Sequence, residues 1–321
     1  LSSSRVPIDL TLGADGHASV ARYRIQGVTL IVRADDPSVL ARVHETYGWF
    51  ADDPAVVADP DEMSNDPAIE VAYRAAPDGG ATIVDANGRT AVLAADDEPL
   101  VALFDAIVSG LIGGLSAAGI LAIHAGVVAV NGRAILIAGR SGRGKTTLVL
   151  GLLRRGLELL SDELALVAAD DRTVLAYPRG VHLRRSALAL FSELDYLAEQ
   201  PSHALGGGSE WSVGPLALQS AFGASVAPSA RIGAVILLDG EPAPDGEPEL
   251  AGVPGAVAAI ELLRGTPAAA SDFDGVLARL PRIVADVPCA RIRSARLEPT
   301  LDTILAWAIG PAGQLSESGW S

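Results

Sequence analysis

Eight consecutive residues constrain this chain more than any others: Gly139-Arg140-Ser141-Gly142-Arg143-Gly144-Lys145-Thr146. They satisfy the P-loop template G-x-x-x-x-G-K-[ST] at every fixed position. The flanks have the character that the template needs. Ala134-Ile135-Leu136-Ile137-Ala138 is a short apolar run that reads as a buried strand. Residues 146–155 (TTLVLGLLRR) carry the apolar spacing of a helix and no proline. Strand, glycine loop and helix make a phosphate cradle, because the glycines let backbone N–H groups turn inward and the helix N-terminus supplies positive potential. The cradle would run from Gly139 through Thr147. Lys145 would reach the β- and γ-phosphates of a nucleoside triphosphate, and the Thr146 hydroxyl would coordinate Mg²⁺. ATP and Mg²⁺ are the expected cofactors.

Composition narrows the partners. The formal net charge of −15 opposes nucleic-acid binding, which needs a basic surface to displace counterions. A hydrophobic content of 49% with only 4% aromatic residues predicts a sizeable core built from Ala, Val, Leu and Ile. The single cysteine, Cys289, excludes an internal disulfide and a cysteine zinc site, and its apolar neighbours predict a packing role. The first residues show no charged segment followed by an apolar one, so a cytoplasmic location is expected. Residues 100–123 are nearly all apolar and long enough to span a membrane, but their glycines and their direct run into the P-loop region favour a helix packed on a sheet. No membrane partner is expected.

Turn signals divide the chain. Residues 1–98 read as a smaller strand-rich domain, with strands at 28–32, 69–73, 81–84 and 90–93 and a hairpin at Asn87-Gly88. The acidic segment 52–66 reads as a loop. Residues 99–309 read as the nucleotide-binding domain. A strand over 121–130 carries His124, and Asn131-Gly132 turns it back onto the P-loop strand as an antiparallel neighbour. Further strands are expected at 157–160, continuing through 164–167, at 174–177 and at 232–238. Glycine and serine make 201–214 a mobile loop, 239–255 reads as a Pro/Gly/Glu-rich loop, and 310–321 as a disordered tail.

Phosphate chemistry needs a carboxylate to hold the metal and a group to orient the nucleophile. Two candidates follow apolar strands. Asp162-Glu163 interrupts an apolar run, where carboxylates are costly without a purpose. Asp239 ends Val235-Ile236-Leu237-Leu238 and could serve, but Gly240 follows and makes a turn equally apt.

His124-Ala125-Gly126, then the loop Gly139 to Thr146, then Arg155-Gly156, then Leu160-Ser161-Asp162-Glu163 resemble, in order and spacing, the HPr kinase/phosphorylase family. The loop is also similar, more distantly, to that of ATP-dependent phosphoenolpyruvate carboxykinases. The resemblance covers residues 121–185 and weakens toward residue 300. It implies an α/β fold: a P-loop domain of that type with a mixed sheet, joined to the strand-rich N-terminal domain. It implies that Asp162 is the general base, that Glu163 and Asp162 help Thr146 hold Mg²⁺, that His124 lies near the γ-phosphate, and that Arg179 contacts substrate or phosphate. The family's downstream Arg/Asn-containing segment running into Ile-Val-Glu is absent, and its N-terminal domain has no match. The expected activity is therefore that of a kinase without phosphorylase activity, acting on a serine of a peptide or small protein. A ribosomal peptide precursor is one such acceptor, because similar proteins accompany lasso-peptide pathways. The strand-rich domain and the 201–214 segment would recognise the substrate, and a homo-oligomer is possible for such a family. Two other readings stay open: a kinase for a small hydroxyl compound, and a non-catalytic nucleotide switch.

Overall fold

The computed structural model describes residues 19–51, 67–200, 203–205, 208–240, 243 and 246–310. The loop expected at 52–66 and the tail expected from residue 310 lie outside the described residues, apart from Gly310 itself. The chain divides into two units, Leu1–Ala118 and Gly119–Ser321.

The first unit contains β1 (Ser19–Ile25), β2 (Val28–Ala34), α1 (Pro37–Tyr47), β3 (Ala68–Ala75), β4 (Ala81–Val84), β5 (Thr90–Leu93) and α2 (Pro99–Ala117). Its five strands form one sheet in sequence order. β2 and β3 are parallel, and the other neighbours are antiparallel. The four expected strands are present. Helix α1 lies in the β2–β3 connection; Asp36 caps it by accepting from the Ser38 N–H at 2.8 Å, and Pro37 occupies its first turn. Helix α2 is long and apolar enough to cross a membrane by length and composition. Here Leu103, Ile107, Leu111 and Leu115 are fully buried, and the helix packs on β2, β3 and β4. That packing places the division after Ala118 rather than after residue 98: the apolar helix completes the first sheet.

The second unit contains β6 (Leu121–Val130), β7 (Arg133–Ala138), α3 (Lys145–Arg154), β8 (Glu158–Ser161), β9 (Leu164–Val167), β10 (Thr173–Leu175), β11 (Val181–Arg184) and α4 (Arg185–Leu188). It continues through β12 (His203–Leu205), β13 (Gly208–Val213), α5 (Pro215–Phe222), β14 (Ser229–Leu238), β15 (Glu249–Gly252), α6 (Gly255–Arg264), α7 (Phe273–Ile283), β16 (Cys289–Arg293) and α8 (Leu297–Ile309). The main sheet runs β10-β9-β6-β7-β14-β16-β15, with β8 also paired to β6. It is mixed. β7, β14 and β16 are parallel to one another, whereas β6 is antiparallel to β7. The β6–β7 hairpin turns at Asn131-Gly132, both with positive φ (51° and 72°), as a two-residue loop with that sequence should.

Helix α3 buries Leu148, Val149, Leu152 and Leu153 between this sheet and Leu301 and Ile304 of α8. Each such side chain stabilises the fold by about 1.5–3 kcal/mol. Gly126 permits the approach of α3 to β6, because a Cβ there would lie 2.6 Å from Cγ2 of Val149. The turn after β9 is locked separately. Asp171, at positive φ (56°) and 3% exposed, accepts from Arg279 Nε at 2.5 Å and Arg282 Nε at 2.7 Å. Arg279 also donates to the carbonyls of Gly119 and Ala168.

Three segments differ from expectation. The strand expected to run through 157–167 is two strands, broken at Asp162-Glu163. The 201–214 segment, expected as a mobile loop, contributes β12 and β13 to a small sheet with β11. Trp211 and Val213 alternate inward there, opposite Leu183 and Val181, and their burial outweighs the glycine content. Part of 239–255, expected as loop, is the edge strand β15, paired to β16.

Candidate functional site

β7 delivers the chain into the P-loop at Gly139, and α3 begins at Lys145. Between them Gly142 and Gly144 take φ of 77° and 92°, values that side chains with a Cβ rarely adopt. The Lys145 side chain folds back over the loop. Its Nζ donates to the carbonyl of Gly139 at 2.8 Å and to that of Arg140 at 3.3 Å. Lys145 is buried, which pushes its pKa down, opposed by the nearby carboxylates of Glu163 and Asp162. Arg143 turns the other way and donates to the Gly240 carbonyl. Arg140 and Ser141 are exposed at the loop's rim, and Thr146 and Thr147 are half-buried in the first turn of α3.

The register of β6 explains how the carboxylates arrive. On one edge β6 pairs with β7, Ala125 opposite Ala138. On the other edge Val127 faces Ser161 of β8 and His124 faces Leu164 of β9. Asp162 and Glu163 fill the corner between those two pairings. The Ser161 hydroxyl accepts from the backbone N–H groups of Glu163 and Leu164 at 3.2 and 3.1 Å and holds the corner. The Tyr177 N–H donates to the Leu160 carbonyl at 2.7 Å. That bond brings Arg179 onto Glu163, with Nη2 to Oε2 at 2.5 Å.

Asp162 is 8% exposed. Burial pushes its carboxyl from 3.8 up to about 7, against the opposing pull of Arg179; a hydrogen bond from the Thr146 hydroxyl also favours the ionised form. Its Oδ1 is buried and has no hydrogen-bond partner among the described residues. His124 is half-buried, and burial and then Lys145 shift its ring down, which favours the neutral imidazole. The structure therefore brings together Lys145, Thr146, Asp162, Glu163, His124 and Arg179 around one loop. Asp239 does something else. Its Oδ1 accepts from its neighbour Gly240 at 2.7 Å and its Oδ2 lies 3.8 Å from Arg293 Nε, the contacts of a turn former.

The Mg²⁺ fit can be judged from Asp162. A buried carboxylate oxygen without a partner, on a carboxylate already touching the Thr146 hydroxyl, suits a cation that takes one or two protein oxygens and completes its shell with phosphate and water. Among the described residues no group of three or more His, Cys, Asp or Glu side chains forms a cage of its own, and Mg²⁺ beside phosphates does not need one.

A cavity of about 830 Å³ opens beside the P-loop, walled by Gly139 and Arg140, by His124, and by Asp239. It lies at the carboxyl ends of the parallel strands, where open α/β sheets bind ligands. Three further residues reach it that the sequence reading did not single out: Glu261 and Arg264 on α6, and Arg291 on β16. The only hint in the sequence is a pair of arginines, Arg291 and Arg293, at the end of an apolar strand.

No family model and no curated protein matches the chain. Among solved structures, the chain is similar to the Hpr(Ser) kinase/phosphatase from Coxiella burnetii, at 15% identity over 58% of this chain and 93% of the other, with a TM-score of 0.29. A likeness at that level identifies neither the family nor the chemistry of this chain.

Proposed function

We propose that this chain is an ATP- and Mg²⁺-dependent kinase that transfers the γ-phosphoryl group to a hydroxyl, on a serine of a peptide or small protein. The observation that carries the reading is the buried Asp162 carboxylate, with one oxygen unpartnered among the described residues, beside a P-loop whose lysine is already folded over its mouth. A turn that matched the template by accident would not gather a buried carboxylate with a free oxygen.

The roles follow from position. The loop N–H groups and Lys145 neutralise charge on the transferring group. Thr146 and Asp162 would hold Mg²⁺, with Glu163 close by; the ion would neutralise phosphate charge and align the leaving group. In the transfer, the acceptor oxygen bonds to the γ-phosphorus as the bond to the β–γ bridging oxygen breaks, ADP leaves, and the hydroxyl proton passes to Asp162. In the free site burial favours the protonated carboxyl, whereas Arg179 and a bound cation would favour the carboxylate that takes the proton. Arg179 keeps Glu163 in place and away from the acceptor's proton.

A second reading, a kinase for a small hydroxyl compound, draws on the cavity, whose volume falls in the range of small-molecule sites. One experiment addresses both. Mass spectrometry of protein, Mg²⁺-ATP and a panel of serine peptides and small hydroxyl compounds should show an added phosphate on an acceptor. Asp162→Asn should remove it while ATP affinity stays within a few-fold, and Lys145→Ala should remove it and weaken ATP binding. Full activity in Asp162→Asn would refute the assigned base. ATP binding without transfer to any acceptor would favour a nucleotide switch.

A further inference from the structure

The wall of the cavity carries more positive charge than the protein around it. The chain as a whole has a net charge of −15. Yet four arginines, Arg140, Arg143, Arg264 and Arg291, border this one cavity, against two carboxylates, Asp239 and Glu261. Two of the arginines are arranged as a pair. Arg264 Nη1 donates to Oε1 of Glu261 at 2.9 Å, and Arg291 Nη2 donates to the same oxygen at 3.3 Å. One carboxylate is shared by two guanidinium groups, each of which has further N–H donors. The pair keeps a net positive charge and donors to spare.

The pair is also held close to the chemistry. Arg264 is the last residue of α6, and the carbonyl of the next residue, Gly265, accepts from the His124 N–H at 2.6 Å. That bond stitches the end of α6 to β6. Lys145 marks which end of the cradle this is. Its tip serves the β- and γ-phosphates, and it rests on the carbonyls of Gly139 and Arg140, which border the cavity. The cavity therefore adjoins the end of the loop on which the Lys145 tip rests, with His124 in its wall. Its remaining wall is apolar, with Ile123, Leu237, Leu238 and Leu262.

We propose that this cavity is the acceptor subsite and that Arg264 and Arg291 grip an anionic group, a carboxylate or a phosphate, carried by the acceptor alongside its reacting hydroxyl. The proposal rests on the kinase reading and names the chemistry of its substrate. Guanidinium groups bind such anions through paired N–H donors that a neutral acceptor cannot engage. Glu261 occupies the pair until an acceptor arrives and competes with it.

Matched small probes test this: D-glycerate, glycerol 3-phosphate and neutral glycerol, titrated by ligand-observed NMR into protein saturated with Mg²⁺ and a non-hydrolysable ATP analogue. The analogue fills the cradle, so the probes report on the part of the cavity that it leaves open, the part bordered by Arg264 and Arg291. The two anions should bind about 10-fold or more tighter than glycerol, the scale of a charged hydrogen bond. Arg264→Ala with Arg291→Ala should bring that ratio close to one, and Glu261→Gln should raise it. Which anion binds tighter tells a carboxylate subsite from a phosphate subsite. A ratio near one in the unaltered protein, or one untouched by the double substitution, overturns the proposal. The kinase reading fails separately, if the ATP analogue does not bind or if Lys145→Ala binds it equally well.

Discussion

Removing the charge of Asp162 should stabilise the nucleotide-free protein, and by an amount that grows with pH. An ionised Asp162 is costly in the native state because its carboxyl is raised from 3.8 to about 7 by burial. At 1.36 kcal/mol per pH unit, that rise corresponds to about 4 kcal/mol when the group is fully ionised. The sign follows from proton linkage. The folded protein holds this proton more tightly than the unfolded chain does. The cost is therefore absent below pH 3.8, accumulates as pH rises, and is complete above about 7. Asn is uncharged at every pH, nearly the same size, and can still accept from the Thr146 hydroxyl. The advantage of Asp162→Asn over the unaltered protein should thus widen by a few kcal/mol between pH 5 and 8. For a unit of this size that is roughly 10 °C in melting temperature. The assay is thermal unfolding of both proteins across that range, without nucleotide or metal. Taking the difference cancels the general effect of the protein's acidity. With Mg²⁺ and ATP both proteins should gain nearly the same stability, because affinities that differ by only a few-fold shift unfolding by about 1 kcal/mol at most. A melting-temperature difference that stays flat from pH 5 to 8 would refute the buried-carboxylate account.

Three further perturbations test the frame around the site. Arg279→Ala leaves Asp171 buried with only Arg282 and takes a donor from the carbonyls of Gly119, Val167 and Ala168, so thermal unfolding should show a loss of about 3–5 kcal/mol; a loss under 1 kcal/mol would make the contact a surface one. Gly126→Ala places a methyl group against Val149 and must shift α3, so it should lower both melting temperature and ATP affinity by titration calorimetry, and an unchanged affinity would mean that the helix is free to move. His124→Gln should leave the transfer rate within about 10-fold of the unaltered protein, because the proton goes to Asp162; a loss as deep as that of Asp162→Asn would assign the proton to His124 instead.

The phosphate cradle and the carboxylate corner were legible because each is a run of neighbours in the chain. Gly139 to Thr146 is a spacing rule, and Asp162-Glu163 stands out as charge inside an apolar stretch. The β6–β7 hairpin could be read from Asn131-Gly132 alone, since few other dipeptides accept two positive φ values in succession. The arginine pair could not be read. Arg264 and Arg291 lie on α6 and β16, and only the parallel placement of β14 beside β7 and β16 brings them to the P-loop. Helix α1 was missed although Asp36-Pro37 is a helix-start signal, because the surrounding strands dominated the reading. The β12–β13 hairpin was missed for a related reason: four polar and glycine residues hid the alternation of Trp211 and Val213. In α2 the same apolar length fits several settings, and only the sheet it packs on decides its unit.

The split partner of β6 has a mechanical consequence. The cradle hangs from one edge of this strand and the carboxylate corner from the other. The strands that carry them lie two ladder spacings apart, about 10 Å, fixed by backbone hydrogen bonds, and the side chains meet across that span. Such a strand works as a gauge block: it sets the spacing of the loop and the carboxylate at the moment of folding, and in the proposed transfer would keep it through every turnover. No hinge has to bring these two halves together. In the proposed transfer any closing movement is left to serve the acceptor, and substitutions that slow closure should raise the acceptor's KM while leaving the affinity for ATP as it was.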